Sequence, residues 1–416
     1  MTPAPRFERR LRRELHGARP PRAVDAERRA WHVVRAAHAA RTPVRPRRRA
    51  ARLALAAAGA ILVAALALTP AGAKVGDWID DVVSPAPEAT RSSLSSLPAP
   101  GRLLVVADGG VWLVRDGEGR RQLGAFADAT WSPGGLFIAA ARRRELVALD
   151  PQGIERWTRP AQGRVSVPRW SPDGYRIAYR SGTDLRVATG DNDEDWLLAR
   201  GTRPAPPAWK SLVPPAEQVL AFAAGARVRI LEADSGRVLG QTPAGPAPRE
   251  IWWAEGGRRL VTVTSRSVRI HGPRGRLLRT IGLPPGTIAT GSALAPRGGR
   301  LAVIASRGRT SSLLVLRLGG SSRPRSLFSA RGSFEGLTWS IDGSLLALGL
   351  PQADEWLFLH PRGSGGPEAV GHIRERFGGG REPVRGAFPR PAGWCWAEPE
   401  NRTASRQPPC PSGSAP

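Results

Sequence analysis

Reactive side chains are scarce in this 416-residue chain: it has two cysteines, one methionine, two tyrosines and six histidines. Two cysteines exclude a disulfide-dense scaffold and a cysteine-rich zinc site. The histidines (His16, His32, His38, His271, His360 and His372) are scattered, and none has the spacing of a metal ligand pair. No Gly-x-Ser-x-Gly elbow is present, which excludes the hydrolase arrangement built on that turn. No phosphate-binding or dinucleotide glycine loop stands between a strand and a helix. The acidic run Asp191-Asn-Asp-Glu-Asp195 lacks the central glycine and terminal glutamate of a calcium loop, and it falls where a hairpin is expected to turn. Asn401-Arg-Thr403 is a glycosylation sequon by pattern only. The sequence therefore offers no catalytic, cofactor-binding or metal-ligating residue, and we expect a protein that is not an enzyme and needs no cofactor.

Lysine is nearly absent as well. Lys74 and Lys210 are the two lysines among 62 basic residues, against 35 acidic ones, for a net charge of +27. Sixteen arginines and four acids give residues 1–52 a charge of +12, which leaves +15 for the rest. Such a balance invites a nucleic-acid reading. An arginine-for-lysine bias beside abundant alanine, glycine and proline is also what a very GC-rich genome produces regardless of function. Anionic lipid near the N-terminus and acidic envelope polymers are the better partners for this charge, and no nucleic-acid partner is expected.

What the chain does have is a repeat. An aromatic landmark is followed four residues later by glycine in Trp131-Ser-Pro-Gly-Gly135, Trp170-Ser-Pro-Asp-Gly174, Trp253-Ala-Glu-Gly-Gly257 and Trp339-Ser-Ile-Asp-Gly343. Leu294-Ala-Pro-Arg-Gly298 keeps the glycine without the indole. Trp209 keeps the indole without the glycine, its turn reading Lys210-Ser-Leu-Val213. Successive landmarks lie 39, 39, 44, 41 and 45 residues apart. In such a turn proline (Pro172) presets φ, aspartate (Asp173, Asp342) bonds its own backbone, and glycine takes the φ > 0 position without steric cost. Runs of four to six β-formers follow each landmark, as in Leu301-Ala-Val-Ile-Ala and Leu313-Leu-Val-Leu-Arg-Leu, and no long 3.6-residue apolar period appears between Trp131 and Leu359.

A period of about forty residues made of short strands predicts an all-β fold, a β-propeller. Strand-turn-strand units follow the six landmarks, and a seventh, Leu103-Leu-Val-Val-Ala with Val111-Trp-Leu-Val, precedes Trp131 without a landmark strand of its own. The stretch from Gly386 to Trp394 supplies the missing strand, which would close the ring and remove an exposed edge. This counts seven blades, with six as the other count if the Trp209 unit is degenerate or the first unit is merely an extra ribbon. The landmark residues are expected to be scaffold.

In these motifs the chain resembles the bacterial TolB-like and WD-repeat-like propellers, which carry the Trp-Ser-Pro-Asp-Gly turn. The resemblance covers roughly residues 100–396, most clearly at Trp131–Gly135, Trp170–Gly174 and Trp339–Gly343. It implies a protein-interaction platform in the cell envelope, and it says little about function beyond that.

Ahead of the propeller, Leu53 to Ala73 contains no charged residue and is long enough to cross a bilayer. Dense arginine precedes it (Arg45 to Arg49, and Arg52), and Asp77, Asp80, Asp81 and Glu88 follow. The positive-inside bias places the N-terminus in the cytoplasm and the propeller outside. Ala71-Gly-Ala73 also fits a cleaved signal peptide, although a fifty-residue basic region makes a long leader. The expected organisation is a basic cytoplasmic segment over 1–49 with short amphipathic helices, a transmembrane helix over 50–73, and a juxtamembrane helix and Pro/Ser/Ala-rich linker over 74–100. The propeller spans 101–396 and a tail 397–416. In an oxidising compartment Cys395 and Cys410, fifteen residues apart, would pair and staple the tail onto the closing strand, a loop worth roughly 3 kcal/mol. Two unrelated thiols are the alternative.

The leading expectation is thus a non-catalytic, single-pass membrane protein that displays an interaction platform. A transmembrane signalling regulator of the anti-sigma kind, with residues 1–49 docking a cytoplasmic protein, is the second. An enzyme working from the propeller channel, of lyase or glycosidase type, is the third.

Overall fold

The landmark turn is the local unit from which the molecule is built. At Trp170, the Ser171 amide donates to the Arg176 carbonyl at 2.8 Å and the Gly174 amide returns to the Ser171 carbonyl at 2.9 Å. The Ser171 hydroxyl accepts the Arg176 amide at 2.9 Å, and the Asp173 carboxylate accepts the Tyr175 amide at 3.1 Å. Ser340, Asp342 and Gly343 repeat the pattern, with the Leu345 amide on the Ser340 hydroxyl at 2.9 Å and the Ser344 amide on Asp342 at 3.0 Å. Gly174 and Gly343 sit at φ +78° and +72°, the left-handed region that a side chain disfavours.

A computed structural model of the chain forms seven four-stranded antiparallel sheets, and the turns at Trp170 and Trp339 each join the first strand of a sheet to its second. The structure describes residues 97–115, 119–210, 218–320, 323–362, 366–378, 387–396 and Cys410. The basic segment 1–49, the apolar segment 50–73, most of the expected linker and nearly all of the tail lie outside these residues. Among the described residues no helix is long and apolar enough to cross a membrane.

Blade 1 is composite. Its innermost strand is the C-terminal Arg390–Cys395, followed outward by Arg102–Ala107, Gly110–Arg115 and Gly119–Gly124. Leu103 faces Trp394 in the register of that closing pair. Blades 2 to 7 span 128–160, 165–199, 208–241, 250–282, 288–331 and 335–371 in chain order. The innermost strand of each blade packs against that of the next, all the way round and back to Arg390–Cys395. Seven blades form the closed ring, and the Trp209 unit is one of them, although its inner strand is only Ala208–Trp209.

Each sheet is covered on both faces by its neighbours, so second strands are buried with little alternation. Ala139, Ala140 and Ala141 are all fully buried, as are Leu301, Ala302 and Val303. The outermost strands, such as Glu155–Pro160, are largely solvent-facing and charged, which discourages edge-to-edge pairing. Indole N–H groups then tie blade to blade. Trp209 donates to the Arg169 carbonyl at 2.9 Å, Trp253 to Ala208 at 3.1 Å and Trp339 to Ala293 at 2.9 Å. The acceptor is always the residue just before the previous blade's landmark. A second tier works farther out, with Trp157 on Gly190 at 2.8 Å, Trp196 on Ala233 at 3.0 Å and Trp356 on Pro389 at 2.7 Å.

Two features depart from the sequence reading. Leu97 and Ala99, expected in the linker, are buried in the core between blades 7 and 1. A five-residue helix, Ile373–Phe377, follows the last strand of blade 7. Its Phe377 ring lies 5.7 Å from Trp112 and 5.1 Å from Trp356, sealing that same junction. One helical turn carries too few residues to show a 3.6-residue period.

Two stability measurements follow. Replacing Trp170 by Ala should cost about 3 kcal/mol, and an unchanged melting temperature would contradict packing between blades. Trp339→Phe should cost about 1 kcal/mol more than Trp170→Phe, because the Trp339 indole leaves the Ala293 carbonyl whereas the Trp170 Nε1 has no hydrogen-bond partner to lose. The second concerns buried His271, 3.2 Å from the Thr262 hydroxyl and 3.3 Å from the Gly275 carbonyl. Burial, with a smaller contribution from Arg269, pushes its imidazole down to about 4 despite the Gly275 bond. The folded state keeps it neutral while the unfolded chain takes up a proton below about pH 6.5. Stability should therefore fall by up to about 3 kcal/mol between pH 6.5 and 4. Urea midpoints across that window test it, and His271→Leu should flatten the curve there.

Candidate functional site

Side chains alternate along a strand, so residues one and three before a landmark tryptophan share the face that looks along the ring axis. Those positions hold Asp128 in blade 2, Arg169 in blade 3 and Glu250 in blade 5, all buried. Bulges in blades 1 and 7 bring in Arg390 and Glu335, four residues before their landmarks. These five belong to different blades yet act on one another, as only groups converging on the channel can. Burial lowers the pKa of Arg169, opposed by Asp128 and Glu250 and reinforced by Arg390. Burial likewise lowers Arg390, opposed by Asp128 and Glu335. Burial raises the Glu335 carboxyl above the ordinary range, against the pull of Arg390 and Arg374.

The acids are fixed by the scaffold. Asp128 accepts the Ala129 amide at 2.9 Å and, from the next blade, the Val167 amide at 3.2 Å. Glu250 accepts the Ser292 hydroxyl, which in turn accepts the Trp252 indole at 2.9 Å. That chain joins blades 5 and 6 where Leu294 supplies no indole. Val167 pays for its bond to Asp128 with φ +48°, an unfavourable backbone for a β-branched residue. The strain accompanies a bulge between Ser166 and Arg169. Bulges re-aim side chains, here the Arg169 guanidinium.

Above this cluster, where the inner strands end, the channel opens into a cavity of about 310 Å³. Arg169 and Glu250 lie on its wall beside Trp131, Trp170, Trp209 and Trp253, with Pro133, Pro172 and Pro296 from the turns. The landmark rings are buried between blades and still present edges to the mouth. Arg102 lies 4.7 Å over the Trp131 ring, Lys210 5.9 Å over Trp253 and Arg300 5.2 Å over Trp339. Beside the mouth the turns of blades 2 and 3 expose Leu136 (45%), Phe137 (40%) and Tyr175 (71%). Phe137 stacks on Trp170 with centroids 6.4 Å apart.

The mouth also holds Cys410 of the tail. Cys395 and Cys410 are disulfide-bonded, with Cα atoms 4.8 Å apart, and the Cys410 amide donates to the Pro133 carbonyl at 3.2 Å. Arg102 braces this seam, donating to the Trp396 carbonyl at 2.7 Å and the Gly135 carbonyl at 2.8 Å. Burial first, then Arg115, lowers its pKa to about 10, so it keeps its charge at neutral pH. Gly135, at φ +68°, is where a Cβ would meet both the Arg102 guanidinium and the Cys395 sulfur at 2.6 Å.

The landmark residues named from the sequence thus fall into one ring. Trp131, Trp170, Pro172, Trp209, Trp253 and Gly298 line the mouth, while Asp342 and Gly343 lie in the neighbouring cleft. Gly257 closes the short 3-10 turn Glu255–Gly257 of blade 5, and Trp394 is buried in the closing strand. The acidic run is spent on structure. Asp195 binds Arg186 at 2.8 Å and the Tyr179 hydroxyl at 3.0 Å, and Asn192 accepts Arg159 from blade 2 at 2.6 Å. The channel charges were not identified from sequence, although the alternation from each landmark would have found Asp128, Arg169 and Glu250.

No protein-family model matches the chain, and no curated protein matches it either. Among solved structures it is similar to the hydrazine synthase of Kuenenia stuttgartiensis, at 12% identity and a TM-score of 0.49 over 66% of this chain and 80% of that one. The β-propeller domain of Cps50 (Swd1) from Myceliophteria thermophila aligns at 15% identity and a TM-score of 0.47, over 59% of this chain and 85% of that one. Likenesses this distant carry no functional argument; the propeller assignment rests on the strand pairing above.

Arg169 is the test of the channel cluster. Arg169→Met removes the cation opposite two buried carboxylates and should destabilise the fold by about 2 kcal/mol, read from urea unfolding at neutral pH. A midpoint equal to that of the unchanged protein would mean that the cluster contributes nothing.

Proposed function

We propose that the chain is a non-catalytic, membrane-anchored β-propeller whose tryptophan-lined face receives a segment of another protein in the cell envelope. One observation carries the reading. Leu136, Phe137 and Tyr175 stand exposed on adjacent turns beside a mouth walled by indole edges and prolines, with Arg169 and Glu250 below. Exposed aromatic anchors beside a pocket are what an interface core is made of, and buried charges at its base favour a polar group at one register. Aromatic and proline-lined slots suit extended peptide segments. The apolar run Leu53 to Ala73 and the arginines before it support anchoring with the propeller outside.

The experiment is crosslinking and affinity purification of the full-length protein from its native membranes. It runs in parallel with a version lacking residues 1–49 and with a Leu136→Asp/Tyr175→Asp double variant of unchanged melting temperature. We expect an envelope protein that survives the truncation and is weakened about thirtyfold or more by the double variant. A cytoplasmic partner lost on truncation would replace this reading with that of a transmembrane regulator.

A further inference from the structure

Beside the channel mouth, and sharing Glu255 and Arg297 with it, the same face of the ring carries a belt of arginine. A cleft of about 840 Å³ at blades 6 and 7 is lined by Arg297, Arg300, Arg317, Arg323, Arg325 and Arg362. Arg300 forms its half-buried floor, fixed over the Trp339 ring and 3.4 Å from the Gly343 carbonyl. A second cleft of about 810 Å³ on blade 5 adds Arg258, Arg259, Arg274 and Arg276. The two share Glu255, so they run together along blades 5 to 7.

Among the described residues ten arginines line this path against two carboxylates, Glu255 and Asp342. Both acids are already engaged. Glu255 holds Arg259 at 2.9 Å, and Asp342 accepts the Ser340 hydroxyl at 2.6 Å and the Ser344 amide at 3.0 Å. The crowding is felt inside the cleft, where burial and then Arg362, Arg317 and Arg297 lower the pKa of Arg300. Like charges gathered in a concavity without matching acids repel one another until an anion arrives, and guanidinium forks grip phosphate or carboxylate oxygens in pairs. Two joined clefts exceed what one such group fills. Among the described residues no tryptophan, tyrosine or phenylalanine lines either of them, so unpaired bases would find no aromatic ring to stack on.

We infer that this belt is a binding groove for a linear, base-free polyanion, a flexible polymer carrying phosphate or carboxylate groups along its length. The groove meets the mouth at Glu255 and Arg297, and the inference does not rest on the protein-docking reading, whose exposed anchors lie on the turns of blades 2 and 3.

The experiment maps arginine protection on the full-length protein. Phenylglyoxal modification is read peptide by peptide with and without a short inorganic polyphosphate, with polyglutamate and oligo-dT in parallel. Site-by-site mapping keeps the arginines of residues 1–52 separate from the groove. We expect polyphosphate to slow modification of Arg297, Arg323 and Arg362 about tenfold, while exposed Arg120, Arg121 and Arg200 on blades 1 and 3 change little. An Arg297→Glu/Arg323→Glu/Arg362→Glu variant should lose the protection at Arg274 and Arg276 while melting normally. Protection by polyphosphate or by polyglutamate supports the groove, and the stronger of the two identifies the anion. Uniform protection over the surface, protection confined to residues 1–52, or none would overturn it. Stronger protection of the groove by oligo-dT would overturn its assignment to a base-free polymer.

Discussion

A ring of sheets holds only if it is closed, and here closure depends on one pairing: the C-terminal strand Arg390–Cys395 laid beside Arg102–Ala107. Without it, blade 1 would have three strands and an open inner edge, and blade 7 would lose its neighbour. The reinforcements concentrate at this seam. Trp394 is fully buried against Phe358, Arg102 ties Trp396 to the first landmark turn, and the Cys395–Cys410 bond holds the chain end on blade 2. Most other junctions carry indole-to-carbonyl bonds, and that of blades 5 and 6 uses the Trp252–Ser292–Glu250 chain; the backbone already runs through them.

Closure also creates the channel. Once seven inner strands face one axis, the side chains at their inward positions are forced together whatever their charge. In this protein they include both signs, and the arrangement is self-neutralising: Arg169 between Asp128 and Glu250, Arg390 between Asp128 and Glu335. The desolvation of each group is offset in part by the others, so the cluster couples blades that are not neighbours, such as 1 with 3 and 3 with 5. The strained Val167 belongs to the same settlement, its amide placed on Asp128 at the expense of its own backbone.

How much of this was legible depends on what each feature needs. The turns were, because serine, aspartate and glycine act within five residues and their chemistry is local. The ring and its closing strand were, because forty-residue spacing and an unpartnered first unit leave few topologies. The channel charges required knowing which face of a strand looks inward, which a landmark supplies only once the ring is granted. In blades 1 and 7 bulges shift the register by one, hiding Arg390 and Glu335 from any fixed offset. The Phe377 helix and the buried Leu97 are idiosyncratic to one junction, and no repeat announces them.

Charge shows the limit most clearly. A surplus of +27 in a chain whose bases are almost all arginine is what composition alone produces, and nothing in it says where cations gather. The fold sorts them into two regimes. In the channel, arginines sit among carboxylates and are silent at a distance. Along blades 5 to 7, landmark turns, strand ends and third-to-fourth-strand turns bring Arg276, Arg297, Arg317 and Arg362 to one rim from blades about forty residues apart, beside acids already committed elsewhere. Only the second regime projects a field into solvent. A basic composition becomes a binding property there, by the same blade geometry that cancels it a short distance away.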